Sequence, residues 1–111
     1  MTAYPNANSP VGLEIPASIA AGVTYDSGII VSRGVAVSVW VKATQNLTLS
    51  IIQYADYAGL IPIAAATTQA ITANTLTNKI VASGPIFSAF KITLANATGS
   101  VATVNNLCIV Q

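Results

Sequence analysis

The chain has 111 residues, of which only seven are charged, four basic and three acidic, while 53% are apolar. This length suits one domain with one core that hides roughly two thirds of the extended-chain surface. A charged fraction of 6% excludes a highly charged disordered chain. The apolar runs, such as Leu60 to Ala66, stop far short of the ~20 residues of a spanning helix, and Arg33, Lys42, Lys79 and Lys91 are too scattered to form a nucleic-acid stripe.

Residues 1–18 read as an extended N-terminal arm, because Pro5, Pro10 and Pro16 block helix and central-strand pairing. Tyr4, Val11, Leu13 and Ile15 are apolar, and the last three alternate, which favours a docked arm over a loose tail. The opening "MTAYPNANSP" has no basic residue and leads into no apolar leader core. If Met1 is the true start, the protein is made and folded in a cytoplasm.

Residues 19–111 read as a single β-sandwich domain. Ile29 to Ser32 is a short strand and Arg33-Gly34 a turn. Val35, Val37, Val39 and Val41 alternate with Ala36, Ser38, Trp40 and Lys42, the clearest half-buried strand in the chain. Thr44-Gln45-Asn46 then turns into a strand from Leu47 to Tyr54, with Leu47, Leu49 and Ile51 on one face.

"ADYAG", residues 55–59, is a loop. Leu60 to Ala66 is expected to be at most an edge or bulged strand, because of Pro62. Residues 67–79 are ambiguous, their threonines favouring strand over helix, and Ile80 to Ala82 is a short strand closed by Ser83-Gly84-Pro85. Two strands around Asn96-Ala97-Thr98-Gly99-Ser100 are expected to form a closing hairpin, with Phe90, Ile92, Leu94, Leu107 and Ile109 in the core. Seven or eight short strands with turn signals roughly every ten residues give an all-β antiparallel sandwich, jelly-roll or immunoglobulin-like.

The chain has no histidine. That removes the commonest general base and transition-metal ligand, and any Ser–His or Cys–His pair within one chain. Glu14, Asp26 and Asp56 show no spacing suited to a carboxylate pair across a cleft. Asp26 and Asp56 read instead as turn formers, and calcium at "YDSG" or "QYADYAG" has no clustered ligand pattern behind it. No phosphate loop, dinucleotide fingerprint or CxxC occurs. The expectation is therefore a protein without enzymatic activity, cofactor or metal. The sequons at Asn46 and Asn96 read as chance matches in an Asn- and Thr-rich chain.

Surface chemistry carries more. Cys108 is the single cysteine, so no intrachain disulfide forms. Trp40 stands opposite the valine face of its strand. It is either an exposed platform for a glycan or a residue covered by the arm or a neighbouring subunit, and the enrichment of Trp at interfaces favours the second. Tyr54 and Tyr57 flank Asp56 and suit either a sugar ring or a partner. Ile29-Ile30-Val31, Ile51-Ile52, Leu60-Ile61 and Leu107 to Val110 are apolar on both faces. Cys108 and Val110 would then face a second buried surface, as large apolar patches mark partner sites. The simplest partner is a second copy of the chain.

The ending Ser88 to Gln111, "SAFKITLANATGSVATVNNLCIVQ", resembles the closing hairpin of small virion proteins of tailed bacteriophages. The resemblance implies a β-sandwich or jelly-roll decoration (cement) protein, often a homotrimer, that sits on the capsid surface of the virion and bridges copies of the major capsid protein. It carries over no individual site residue. A glycan-binding module or fibre domain is the alternative, with Trp40, Tyr54 and Tyr57 as contacts.

Overall fold

A strand places successive side chains on opposite faces, so Val37-Ser38-Val39-Trp40-Val41 can bury one face only. The computed structural model describes residues 16–32, 37–63, 66–81 and 87–110. Nine strands lie among them: β1 (Ser18–Ile19), β2 (Thr24–Asp26), β3 (Ile30–Val31), β4 (Val37–Ala43), β5 (Leu47–Tyr54), β6 (Thr67–Ile71), β7 (Thr77–Val81), β8 (Ala89–Ala95) and β9 (Ala102–Val110). Two antiparallel sheets result, one in the order β1-β9-β4-β7 and one in the order β2-β8-β5-β6, with β3 also paired to β8.

Strands β2 and β3 pair with different stretches of the same neighbour, Thr93 to Ala95 and Ala89 to Phe90. They are one edge strand interrupted at Ser27-Gly28. The Ser27 amide donates to the Ile92 carbonyl at 3.0 Å, and the Ser27 hydroxyl accepts from the Ile92 amide at 3.0 Å. With β2 and β3 taken as one, the strands run 1-8-3-6 in one sheet and 2-7-4-5 in the other. That is the jelly-roll order of two Greek keys, and it differs from the immunoglobulin order.

The core lies between the sheets. Val37, Val39, Val41, Leu107 and Ile109 come from one side, and Leu49, Ile51, Phe90, Ile92 and Leu94 from the other, all fully buried. Phe87 meets Phe90 edge to face at 6.2 Å between ring centroids, a favoured aromatic geometry.

One sequence expectation is overturned here. Strands β8 and β9 do not form a hairpin, because they belong to different sheets. The link 96–101 crosses the sandwich, whose sheets stand ~10 Å apart rather than the ~4.8 Å of paired strands. Asn96 is buried in this crossing and fixes it. Its side-chain nitrogen donates to the carbonyls of Ile19 at 3.0 Å and Ser100 at 2.9 Å, and its Oδ1 accepts from the Thr98 amide at 3.1 Å. A buried amide side chain can thus replace the turn hydrogen bond of a hairpin.

Other boundaries also moved. Residues 67–79 split into β6 and the start of β7, linked by a turn in which Asn74 takes a left-handed φ of 61°, a conformation Asn tolerates. The Ala73 amide there donates to Asn46 Oδ1 at 2.8 Å. Strand β7 begins at Thr77, earlier than expected. Leu60 to Ile63 is not a strand; Pro62 makes only an isolated bridge with Tyr54. Pro5, Pro10, the turn at Arg33-Gly34, Val35 and Ser83-Gly84-Pro85 lie outside the described residues.

Candidate functional site

The outer face of the 2-7-4-5 sheet is short and nearly neutral. Thr24, Thr48, Ser50, Thr68, Ala70, Thr93 and Ala95 hold outward register positions. Its charges meet in a pair, Lys91 Nζ to Asp26 Oδ2 at 3.4 Å. Desolvation pulls the Lys91 ammonium down, but the Asp26 charge and hydrogen bonds to Asp26 and Tyr54 outweigh it, and the group sits above its ordinary value. A pair this exposed contributes about 0–1 kcal/mol.

At one end of that sheet the loop after β5 folds back over its own strand. The Ala55 amide donates to the Ile61 carbonyl at 2.9 Å, and the Ile63 amide to the Gln53 carbonyl at 3.0 Å. Asp56 is the organiser. Its Oδ1 accepts from the amides of Leu60 at 2.9 Å and Ile61 at 2.8 Å. These amides, Ile61 foremost, hold the Asp56 carboxyl below its ordinary value. Asp56 is thus a turn former, as expected, and so is Asp26, whose Oδ1 accepts from the Gly28 amide at 2.8 Å.

Gly59 closes the loop against the opposite edge strand. It has a φ of +73°, and a Cβ built there would lie 2.7 Å from Ile29 Cγ1. Only glycine meets both conditions. The result is an end surface with large apolar side chains pointing outward: Tyr57 at 69% exposure, Leu60 at 78% and Ile61 at 59%, beside the exposed Ile29 and Val31. Sequence reading flagged Ile29 to Val31 and Leu60-Ile61 as two-faced runs. It had no signal that Gly59 would bring the two together, because that contact joins residues thirty positions apart.

Tyr54 ends β5, as the strand expected from Leu47 to Tyr54 has it, but it is not the exposed contact expected beside Asp56: it is buried, at 7% exposure. It lies beside Ala89 and Pro62 and cannot stack with Tyr57 on one ligand.

The other sheet has a different outer face. Trp40, at 37% exposure, stands between Asn78 on β7 and Cys108 on β9. Ser38, Lys42, Asn106 and Ile80 hold neighbouring outward positions, and the Ser38 hydroxyl donates to Asn78 Oδ1 at 2.7 Å. Cys108 is a half-buried free thiol, and Val110 ends β9 opposite Ser38. Lys79 falls on the core side of the end strand β7, opposite Val39. An inward-pointing charge at that place discourages further strand pairing. Tyr4, Val11, Leu13 and Ile15 lie outside the described residues.

Among the described residues no group of three or more His, Cys, Asp or Glu is placed to hold a metal ion. The Asn96 side chain is buried in its network, so modification of that sequon would require the crossing to open. No protein-family model and no curated protein matches the chain.

Proposed function

We propose that this is a structural protein that works by association: a homo-oligomer, trimeric by preference, that decorates a phage head and bridges its major capsid protein. The observation that carries this reading is the apolar end surface of Tyr57, Leu60 and Ile61 beside Ile29 and Val31. Its loop is braced by the Asp56 carboxylate, which accepts from the Leu60 and Ile61 amides, and Gly59 allows it to pass close to Ile29. Preorganisation lowers the ordering cost of binding, and large aromatic and aliphatic anchors dominate interface energetics.

The near absence of charge supports the same reading. A surface with so little repulsion tolerates close approach of identical copies. The jelly-roll order is shared by viral capsid and lectin domains, which is an analogy of fold and adds only weight. The mechanism is mass action: a protein that binds the assembled shell and not its parts stabilises the shell. Light scattering across a concentration series, with co-sedimentation on phage heads stripped of decoration, tests it. An oligomer that binds heads is expected, and a monomer without affinity for any shell overturns the proposal.

One observation favours a second reading. Trp40 is exposed between Asn78 and Cys108, with Ser38, Lys42 and Asn106 at nearby outward positions, polar groups that could accompany an aromatic platform for a glycan. Glycan-array binding that is lost in Trp40→Ala, with the oligomeric state unchanged, would support it.

A further inference from the structure

We propose that β6 is a pairing edge: a second copy of this chain adds its own β6 to it, antiparallel, about a twofold axis at Gln69, so that two sandwiches share one continuous sheet. Strand β6 (Thr67–Ile71) ends the order β2-β8-β5-β6. An edge strand turns the N–H and C=O of every second residue away from its sheet and offers them to another chain.

The register shows which groups these are. The Ser88 amide donates to the Tyr54 carbonyl at 2.9 Å, so the even residues of β5 address β8. On the other side the Ala55 amide donates to the Ile61 carbonyl at 2.9 Å, and the Gln53 carbonyl accepts from the Ile63 amide at 3.0 Å. The odd residues therefore address the chain that runs on into β6. The β5–β8 register is unbroken from Thr48 to Tyr54, which carries this parity along the strand. Leu47, Leu49 and Ile51 then bond Ile71, Gln69 and Thr67, and Thr68 and Ala70 present their amides and carbonyls to the open side. One of these groups already has a side-chain donor standing in for a strand amide: Gln69 Nε2 donates to the Ala70 carbonyl at 3.1 Å. The side chains of Thr68 and Ala70 are exposed.

The other edges are guarded. Strand β7 turns Lys79 inward, opposite Val39. The edge of β2 and β3 is broken at Ser27-Gly28, where the Asp26 carboxylate takes the Gly28 amide at 2.8 Å. Among the described residues β1 is only two residues long. The stretch Thr67-Thr68-Gln69-Ala70-Ile71 has no charge, proline or glycine, and these are the devices that keep an edge from pairing.

The occupant is a second copy because the pattern is self-complementary. With the two Gln69 residues opposite each other, Thr68 of each copy faces Ala70 of the other, and each such pair exchanges two hydrogen bonds. The contact is isologous, so it joins two copies and closes. No charge opposes it in the shared sheet. The outward neighbours on β5 are Thr48 and Ser50, and Lys91 and Asp26 lie farther in, paired with each other. Lys79 keeps the other sheet from pairing in the same way. The contact is separate from the end surface and holds whatever the assembled protein binds.

Cross-linking across the axis tests it. Opposed Gln69 residues would form a non-hydrogen-bonded pair, with Cα atoms ~4.5 Å apart, within the range a disulfide spans. Gln69→Cys is made together with Cys108→Ser, which removes the native thiol, and is oxidised with diamide, which takes up the two electrons and two protons. A disulfide-linked dimer on a non-reducing gel is expected. Thr68→Cys in the same background should stay unlinked, because the two copies of position 68 are offset along the strands. Persistent free thiols in Gln69→Cys, or equal linking of both variants, overturns the proposal. A proline substitution checks it without oxidation. The Ala70 nitrogen faces the open side, where proline is tolerated. Ala70→Pro should therefore keep the fold by circular dichroism, while the mass of the largest species in light scattering falls by half. Thr68→Pro, whose nitrogen also faces out, should do the same. An unchanged mass in either folded variant would also overturn the proposal.

Discussion

The side-chain nitrogen of Asn96 lies 3.0 Å from the carbonyl oxygen of Ile19, and this bond ties the crossing between β8 and β9 to the end of β1. Asn96→Ala leaves buried carbonyls without a donor, and a loss of about 1–3 kcal/mol is expected from urea unfolding. Asn96→Asp should cost more, since a carboxylate would face those carbonyls. Its deficit should grow as pH rises from about 4, because burial favours the protonated acid. An Asn96→Ala variant as stable as the parent would show that the crossing does not depend on this amide.

Asp56 gives a second pH dependence, of opposite sign. The loop amides hold its carboxyl below the ordinary value. Its contribution is therefore complete above the unfolded value, about 3.9, and is lost as pH falls through the lower folded value. Amide exchange of residues 57–61 should accelerate in that acid window. Asp56→Ala should show the fast exchange already at neutral pH, with the core strands still protected.

Gly59→Ala should loosen the same loop by another route. The left-handed φ and the proximity of Ile29 Cγ1 both oppose a side chain. The expected signature is proteolytic nicking within 57–61 at neutral pH, and Ile29→Ala in the same chain should relieve part of it. Unchanged resistance in Gly59→Ala would show that the contact with Ile29 yields easily.

Core and end surface should separate in their effects. Ile92→Ala empties a fully buried site and should cost about 2–5 kcal/mol. Tyr57→Ser removes an exposed ring and should leave stability within about 0.5 kcal/mol. If the end surface drives association, Tyr57→Ser weakens the oligomer in light scattering, whereas an unchanged oligomer places the contact elsewhere.

Trp40 is the chain's one tryptophan, so its fluorescence reports on the other sheet's outer face alone. The indole is partly exposed, and a blue shift of its emission on concentration would mark burial of that face between copies. Constant emission while the oligomer forms would assign the contact to the end surface instead.

The sandwich was legible in the sequence because facing is a local property. Val37, Val39 and Val41, and again Phe90, Ile92 and Leu94, announce their buried side by a spacing of two, and the core follows. Asp26 and Asp56 were legible as turn formers for the same reason, since each bonds amides two to five residues on. The burial of Tyr54 was not, because it is set by tertiary packing at the end of β5, where the chain returns to bridge at Pro62 and β8 pairs at Ala89.

The partner of each strand is a long-range property, and only the tertiary structure decided it. Asn96 to Ser100 has the composition of a hairpin turn, yet the chain there spans two sheets. The same polar cluster satisfies a tight turn or a crossing equally well, and the choice rests on what the Asn96 amide meets at Ile19, 77 residues away in the chain. Alternation told which side of each strand is dry; the closing of the roll told which strands share it.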